Sequence, residues 1–212
     1  MTTKHLKDRV SWAIKFAWDI TICKIVKEEI KINKEASLQM HYSSILKTIL
    51  DLAKFSPDER IDIELESSVF IEGKWYIIDI LLTYRIGDSF KEKHSIELKF
   101  YKTQSSSGGK RGANDIFMKD IYQDIYYSEL YAQHQEVNYT TCLILTDYEN
   151  FVNPPQKNTK NWEYDTSQGH IVEPKNFTTP IGGKEVNFTL KKRYRFVWEN
   201  NGSYWATIIR PE

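Results

Sequence analysis

Two apolar, β-prone stretches of this chain carry charge where a buried strand should carry none. Residues 75–82 (WYIIDILL) hold a single carboxylate, Asp79, and residues 94–100 (HSIELKF) hold a carboxylate and an amine two positions apart, Glu97 and Lys99. A strand repeats every two residues, so Glu97 and Lys99 project from one face. Burying three charges together is costly unless they pair or hold a metal. In neighbouring strands, about 4.8 Å apart, Asp79 and Glu97 repel unless a cation lies between them. A hard divalent cation suits that arrangement: Mg2+ is commonly held by one or two carboxylates, with waters and substrate phosphates completing its shell. The Leu98 carbonyl is a further candidate ligand. Lys99 is placed to orient and acidify a water and to offset charge on a phosphate transition state. Other chemistries find little footing. The five His are scattered, no His/Cys pair has zinc spacing, and Gly108-Gly109-Lys110 lacks the spacing of a phosphate-binding loop.

The elements that must position these groups are readable from periodicity. Leu6, Val10, Ile14, Ala17 and Ile20 recur at helical spacing, predicting one or two helices over residues 4–30. Trp12, Phe16 and Trp18 lie partly off that stripe, so this segment is either broadly buried or meets another subunit. A second helix is expected from Glu35 to Phe55, with Leu38, Ile45, Ile49 and Leu52 inward and Ser56-Pro57 as its stop. Glu35 in its first turn complements the helix dipole. Ile61–Glu66 alternates strictly, placing Ile61, Ile63 and Leu65 on one face of a strand and Asp62, Glu64 and Glu66 on the other. Turns at Glu72-Gly73 and near Gly87-Asp88 make this strand and the two charged ones an antiparallel meander.

A flexible loop, residues 103–113, carries Lys110 and Arg111. It leads to a helix over Asn114–Gln133 and then to Tyr139–Thr146, an apolar strand expected to pair in parallel after the helical crossover. Residues 150–184 are rich in Asn, Thr, Pro and Gly; Glu185–Trp198 and Ser203–Ile209 read as a hairpin across Asn201-Gly202. Lys191–Arg195, a basic run with interleaved aromatics, is a second candidate contact surface whose plain reading is alternating strand charge.

Composition sets the outer limits. The 212 residues suit one domain, with 41% hydrophobic residues, 13 Tyr and 6 Trp marking a globular chain. Lys+Arg and Asp+Glu balance at 29 each, so polyanion binding must come from a local patch. Cys23 and Cys142 read as buried, reduced core residues. Neither a signal peptide nor an apolar run of membrane-spanning length is evident, so a cytoplasmic protein with no membrane partner is expected.

The order of an acid on the first strand, Asp79 on the second and Glu97-Leu98-Lys99 on the third resembles the PD-(D/E)XK nuclease superfamily, the restriction-endonuclease-like proteins. The resemblance covers about residues 35–148 and implies an α/β fold: an α-β-β-β-α-β core whose mixed central sheet is flanked by helices. Residues 1–34 would be an N-terminal helical extension and 149–212 a β-rich, hairpin-bearing one, all within a single nuclease domain spanning 1–212. By motif, Asp79 and Glu97 become Mg2+ ligands (Mn2+ substituting) and Lys99 the catalytic lysine. Ile78 stands where a proline often precedes the first acid.

Gln123 and Tyr127 match the Gln-x-x-x-Tyr motif that RecB-type members carry on the helix after the third strand, and their i, i+4 spacing puts them on one face. Glu64 would be a third acidic ligand and Glu35 the helix-one glutamate. Lys102, Lys110 and Arg111 are candidate phosphate contacts. Each group also has a plain structural reading: an edge-strand acid, a same-face ion pair, solvated loop charges. The implied activity is a Mg2+-dependent DNA endonuclease of restriction, repair or phage defence, with homodimerisation a means of cutting both strands. The alternatives are a ribonuclease and a catalytically silent nucleic-acid- or protein-binding module on the same fold.

Overall fold

The chain, seen here in a computed structural model, is described over residues 3–88, 90–104, 109, 112, 114–155 and 160–212. Two helices open it, α1 (Thr3–Val26) and α2 (Glu35–Leu52). Three long strands follow, β1 (Glu59–Ile71), β2 (Lys74–Ile86) and β3 (Phe90–Tyr101), then α3 (Asn114–Gln133) and β4 (Tyr139–Thr146). Beyond two short 3-10 turns come β5 (Ile171–Val172), β6 (Lys175–Phe177), β7 (Phe188–Leu190), β8 (Tyr194–Arg195), β9 (Glu199–Asn201) and β10 (Tyr204–Ile209). The central sheet has six strands in the order β1-β2-β3-β4-β10-β9. Its pairings are antiparallel except β3 with β4, which the α3 crossover makes parallel. The protein is thus mixed α/β, with three α-helices among the described residues on a mostly antiparallel sheet.

Each sheet face has its own core. Leu82, Ile96, Leu98, Leu143 and Leu145 pack with α1 and α2. Tyr101, Cys142 and Ile144 face the opposite way, toward α3 and the aromatics Tyr164, Phe177, Phe196 and Trp198 of the C-terminal segment. Residues 3–26 form one helix, and Trp18 is buried with its main stripe. Trp12 and Phe16 instead stack on each other in the open, their ring centroids 4.8 Å apart. Two expectations about inward faces are corrected. Leu52 is 77% exposed, because the inner face of α2 runs through Leu38, Tyr42, Leu46 and Ile49 at steps of three and four. Cys23 is exposed, while Cys142 is buried as expected.

The β1–β2 hairpin changes sides along its length. Ile61, Ile63, Ile80 and Leu82 pack toward α1 and α2, whereas Val69, Ile71 and Ile78 pack toward α3. The switch falls at one cross-strand position: the register runs from Leu65↔Ile80 to Ser67↔Ile78, leaving Glu66 opposite Asp79 without a regular bridge. Glu66 adopts φ 54, a left-handed conformation that costs a residue with a Cβ about 1–2 kcal/mol. Rotating the chain there lets one hairpin serve both layers, and it leaves Leu65 exposed rather than inward.

The C-terminal region also departs from expectation. The Asn201-Gly202 turn forms, with Gly202 at φ 69, but the strand expected over 185–198 is broken into β7 and β8 in small separate sheets. The last strand, β10, joins the central sheet beside β4. No helix among the described residues is long and apolar enough to cross a membrane.

Candidate active site

The cluster forms where the sheet opens. Backbone pairing of β2 with β3 ends at Ile80↔Ile96, so the next residues on each strand, Asp79 and Glu97, stand at the mouth of the split. With no strand carbonyl to take it, the Leu98 N–H donates to Asp79 Oδ2 at 2.7 Å. Burial pushes the Asp79 carboxyl up; the Leu98 N–H and Lys99 pull it down, while Glu66 opposes them. Glu97 is 6% exposed, and burial followed by the Asp79 and Asp124 charges holds its carboxyl well above the usual carboxylate range. Glu97 Oε1 is nevertheless enclosed with no hydrogen-bond partner among the described residues. A buried carboxylate oxygen left unmatched is rare and needs a reason.

Lys99 lies one step further along the same face of β3. Its Nζ is 2.8 Å from Asp124 Oδ2 on α3 and 3.8 Å from Glu35 Oε1 at the start of α2. Burial works against its charge, but Asp124, Glu35 and Asp79 outweigh that and hold the ammonium above its ordinary range. Asp124 is pushed up to about 7 by burial despite the lysine beside it. Glu35 is raised for the same first reason, although Lys99 and a 3.1 Å bond from the Phe100 N–H to Oε2 draw it down. Asp79, Glu97, Asp124 and Glu35 therefore surround one ammonium, an arrangement with room for more positive charge.

The other predicted residues divide. Gln123 and Tyr127 do share a face of α3, where the amide donates to the Tyr127 hydroxyl and Lys119 donates to Gln123 Oε1 at 2.9 Å. Their neighbour Asp124, not Gln123, is the α3 residue that grips Lys99. Glu64 is exposed on β1 opposite Leu81. Glu66 is the first-strand acid beside Asp79, and Gln39 bridges the two by donating to Glu66 Oε1 at 3.0 Å and to the Asp79 carbonyl at 2.7 Å. Lys102 lines a cavity with Lys31 and Asn33 near the start of α2. Lys110 and Arg111 lie outside the described residues. The Lys191–Arg195 run is largely committed elsewhere: Lys191 Nζ donates to Gln133, while Arg193 and Arg195 pair with Glu212.

Asp124, Glu66 and Gln39 escaped the sequence reading. Asp124 left a signal, since it shares a helix face with buried Phe117, Ile121 and Tyr131. Gln39 sits one turn after Glu35 and shares its face. Glu66 left no such signal, because strict alternation across 61–66 makes it equivalent to Glu64.

A second buried acid shows what a structural carboxylate looks like here. Glu129 on α3 accepts the backbone N–H groups of Lys191 and Lys192, both at 2.8 Å, and the Tyr194 hydroxyl at 2.9 Å. Its partners pin the C-terminal segment to the helix. Glu97, equally hidden, lacks such a set. Among the described residues no group of three or more His, Cys, Asp and Glu side chains is arranged to hold a metal ion. Two carboxylates suffice for Mg2+, and the unmatched Glu97 oxygen beside Asp79 is a hard donor of the right kind. Comparison with family models, with curated proteins and with solved structures finds no match.

Proposed function

We propose that this chain is a Mg2+-dependent nuclease that hydrolyses DNA phosphodiester bonds, built on a restriction-endonuclease-like core of α2, β1–β3, α3 and β4. The observation that carries the reading is the unsatisfied, buried Glu97 oxygen next to Asp79, with Lys99 Nζ held on the same strand face by Asp124. Asp79 and Glu97 would hold Mg2+ or Mn2+, with the Leu98 carbonyl as an added ligand. When bound, the ion supplies Lewis-acid stabilisation of the attacked phosphate and acidifies water.

The chain's own groups do the remaining work. Lys99 keeps its proton at Nζ and presents it toward a phosphate oxygen or the attacking water, stabilising negative charge as it develops. Asp124 and Glu35 fix its direction from two sides, which removes the rotamer freedom of a long side chain. Gln123 and Tyr127 form the adjoining wall. A homodimer would bring two such sites to the two strands of a duplex.

The test is cleavage of supercoiled plasmid and linear DNA with Mg2+, with Mn2+ and with a chelator. Metal-dependent nicking that disappears in an Asp79→Asn/Lys99→Met double variant that still folds cooperatively is the expected result. Nicking undiminished in that variant would remove the proposal. An intact fold with no cleavage of DNA or RNA, and no effect of Mg2+ on melting, would instead favour a silent binding module.

A further inference from the structure

A second charged feature lies at the opposite end of the β3–β4 pair, where those strands begin and β10 ends. Lys7, Ser11, His94, Asn138, Lys192 and Arg210 contribute to the lining of a cavity of about 300 Å³. Three cations meet there, and no carboxylate is among the lining residues. The Arg210 guanidinium is half-buried. Its Nε donates to Thr141 Oγ1 at 3.0 Å and its Nη1 to Ser11 Oγ at 3.2 Å, while Nη2 is enclosed with no partner. Those hydroxyls orient the guanidinium without neutralising it. Lys7 lies over the Tyr139 ring, 4.0 Å from its centroid.

Among the described residues no carboxylate forms an ion pair with Lys7, Lys192 or Arg210. The nearby acids are engaged elsewhere: Glu92 Oε1 accepts the Tyr139 hydroxyl at 3.0 Å, Glu129 accepts its three donors, and Glu136 faces Lys93 at 3.9 Å. His94 registers the resulting field. It is buried, its Nε2 lies 2.8 Å from Thr141 Oγ1, and burial followed by Arg210 and Lys7 pushes it down to about 3.

A partly desolvated guanidinium left without a counter-charge is costly unless an anion completes it. We propose that this cavity binds the phosphomonoester group of a small phosphorylated molecule. The guanidinium fork matches phosphate oxygens, and two ammonium groups beside it suit a dianion better than a singly charged carboxylate. The volume is at the lower end of the range for small-ligand sites. A neighbouring cavity lined by Lys91, Lys93 and Lys192 prolongs the positive field outward, which would draw such a ligand in. This site shares no residue with the carboxylate cluster and does not depend on nuclease activity.

The test uses the full chain in chelator, with inorganic phosphate, adenosine monophosphate, sodium chloride of matched ionic strength and an oligonucleotide lacking terminal phosphates. Phosphate and the monophosphate are expected to raise the melting temperature saturably, chloride is not, and His94 ring resonances should shift with the same midpoint. Lys7→Gln/Lys192→Gln alters two lysine side chains and should weaken binding roughly tenfold or more. Arg210→Lys, which keeps the charge but loses the fork, should do the same. No saturable phosphate effect, or unchanged affinity in a folded double variant, overturns the site. Equal binding of the unphosphorylated oligonucleotide would make it a polymer-backbone surface and overturn the small-molecule assignment.

Discussion

The two ends of the β3–β4 pair carry opposite unfinished electrostatics. At one end four carboxyls gather around the Lys99 ammonium, and burial drives their protonation up. At the other, three cations line one cavity, and burial, with Arg210 and Lys7 adding to it, holds His94 below its ordinary range. The formal net charge of zero conceals both. Each end contains an enclosed polar atom without a partner, Glu97 Oε1 in one and Arg210 Nη2 in the other. Glu59 shows a buried acid that is satisfied: it accepts a two-pronged grip from Arg9, at 2.9 and 2.6 Å, plus the Phe55 N–H at 2.8 Å. Other enclosed atoms, such as Arg85 Nε and Glu92 Oε2, also lack a partner among the described residues, so it is the one-signed charge gathered around Glu97 and Arg210 that singles out these two ends.

The largest expected effect separates the acidic end from ordinary packing. Lys99→Met should lower Mg2+-dependent cleavage by roughly 10²–10³-fold in a plasmid-nicking assay, the loss typical of a donor aimed at developing charge. A change below threefold would mean that Lys99 is only a structural partner of Asp124. Next, Asp124→Ala should cost about 3 kcal/mol in denaturant unfolding, since it strips a buried ammonium of its nearest partner. Adding Lys99→Met to that variant should recover part of the loss. Strict additivity would deny the coupling.

The two ends should also respond to pH with opposite slopes. Asp124 has a folded pKa raised to about 7, so its contribution is present below the ordinary carboxylate range and lost as pH climbs through about 7. His94 is depressed to about 3, so its contribution is present above its ordinary value of 6.5 and lost as pH falls from there toward 3. Between about pH 4 and 7, Asp124→Asn should make the melting temperature climb more steeply with pH, and His94→Gln should make it climb less steeply. If either variant changes the slope in the other's direction, the electrostatic contrast fails. The smallest effect concerns the first strand. Glu64→Gln should leave stability within about 0.5 kcal/mol, as expected of an exposed side chain, whereas Glu66→Gln should alter the Mg2+ dependence of cleavage. Identical behaviour of the two would remove the distinction between them.

Much of the framework was legible because its signals are local. The meander follows from alternation and turn residues around Gly73, and the parallel placement of β4 follows from an unbroken apolar run after a helix. Asp79, Glu97 and Lys99 stood out as charges inside apolar strands. What misled was periodicity carried too far. Alternation through Leu65 and Glu66 hid the left-handed turn of the chain at Glu66, and the spacing that seemed to include Leu52 ran past the inner face of α2.

By itself, then, the sequence determined the elements, their order and the presence of three charges that buried strands do not tolerate unaided. Those depend on steric preference and the periods of helix and strand, which act over a few residues. Only the tertiary structure decided that Asp124 from α3 and Glu35 from α2 close around Lys99, that Glu66 rather than Glu64 stands beside Asp79, and that Arg210 from the last turn of chain meets Lys7 from the first helix. Such meetings join residues distant in sequence. They are fixed by how the layers pack and by where the sheet splits, and no local pattern encodes either.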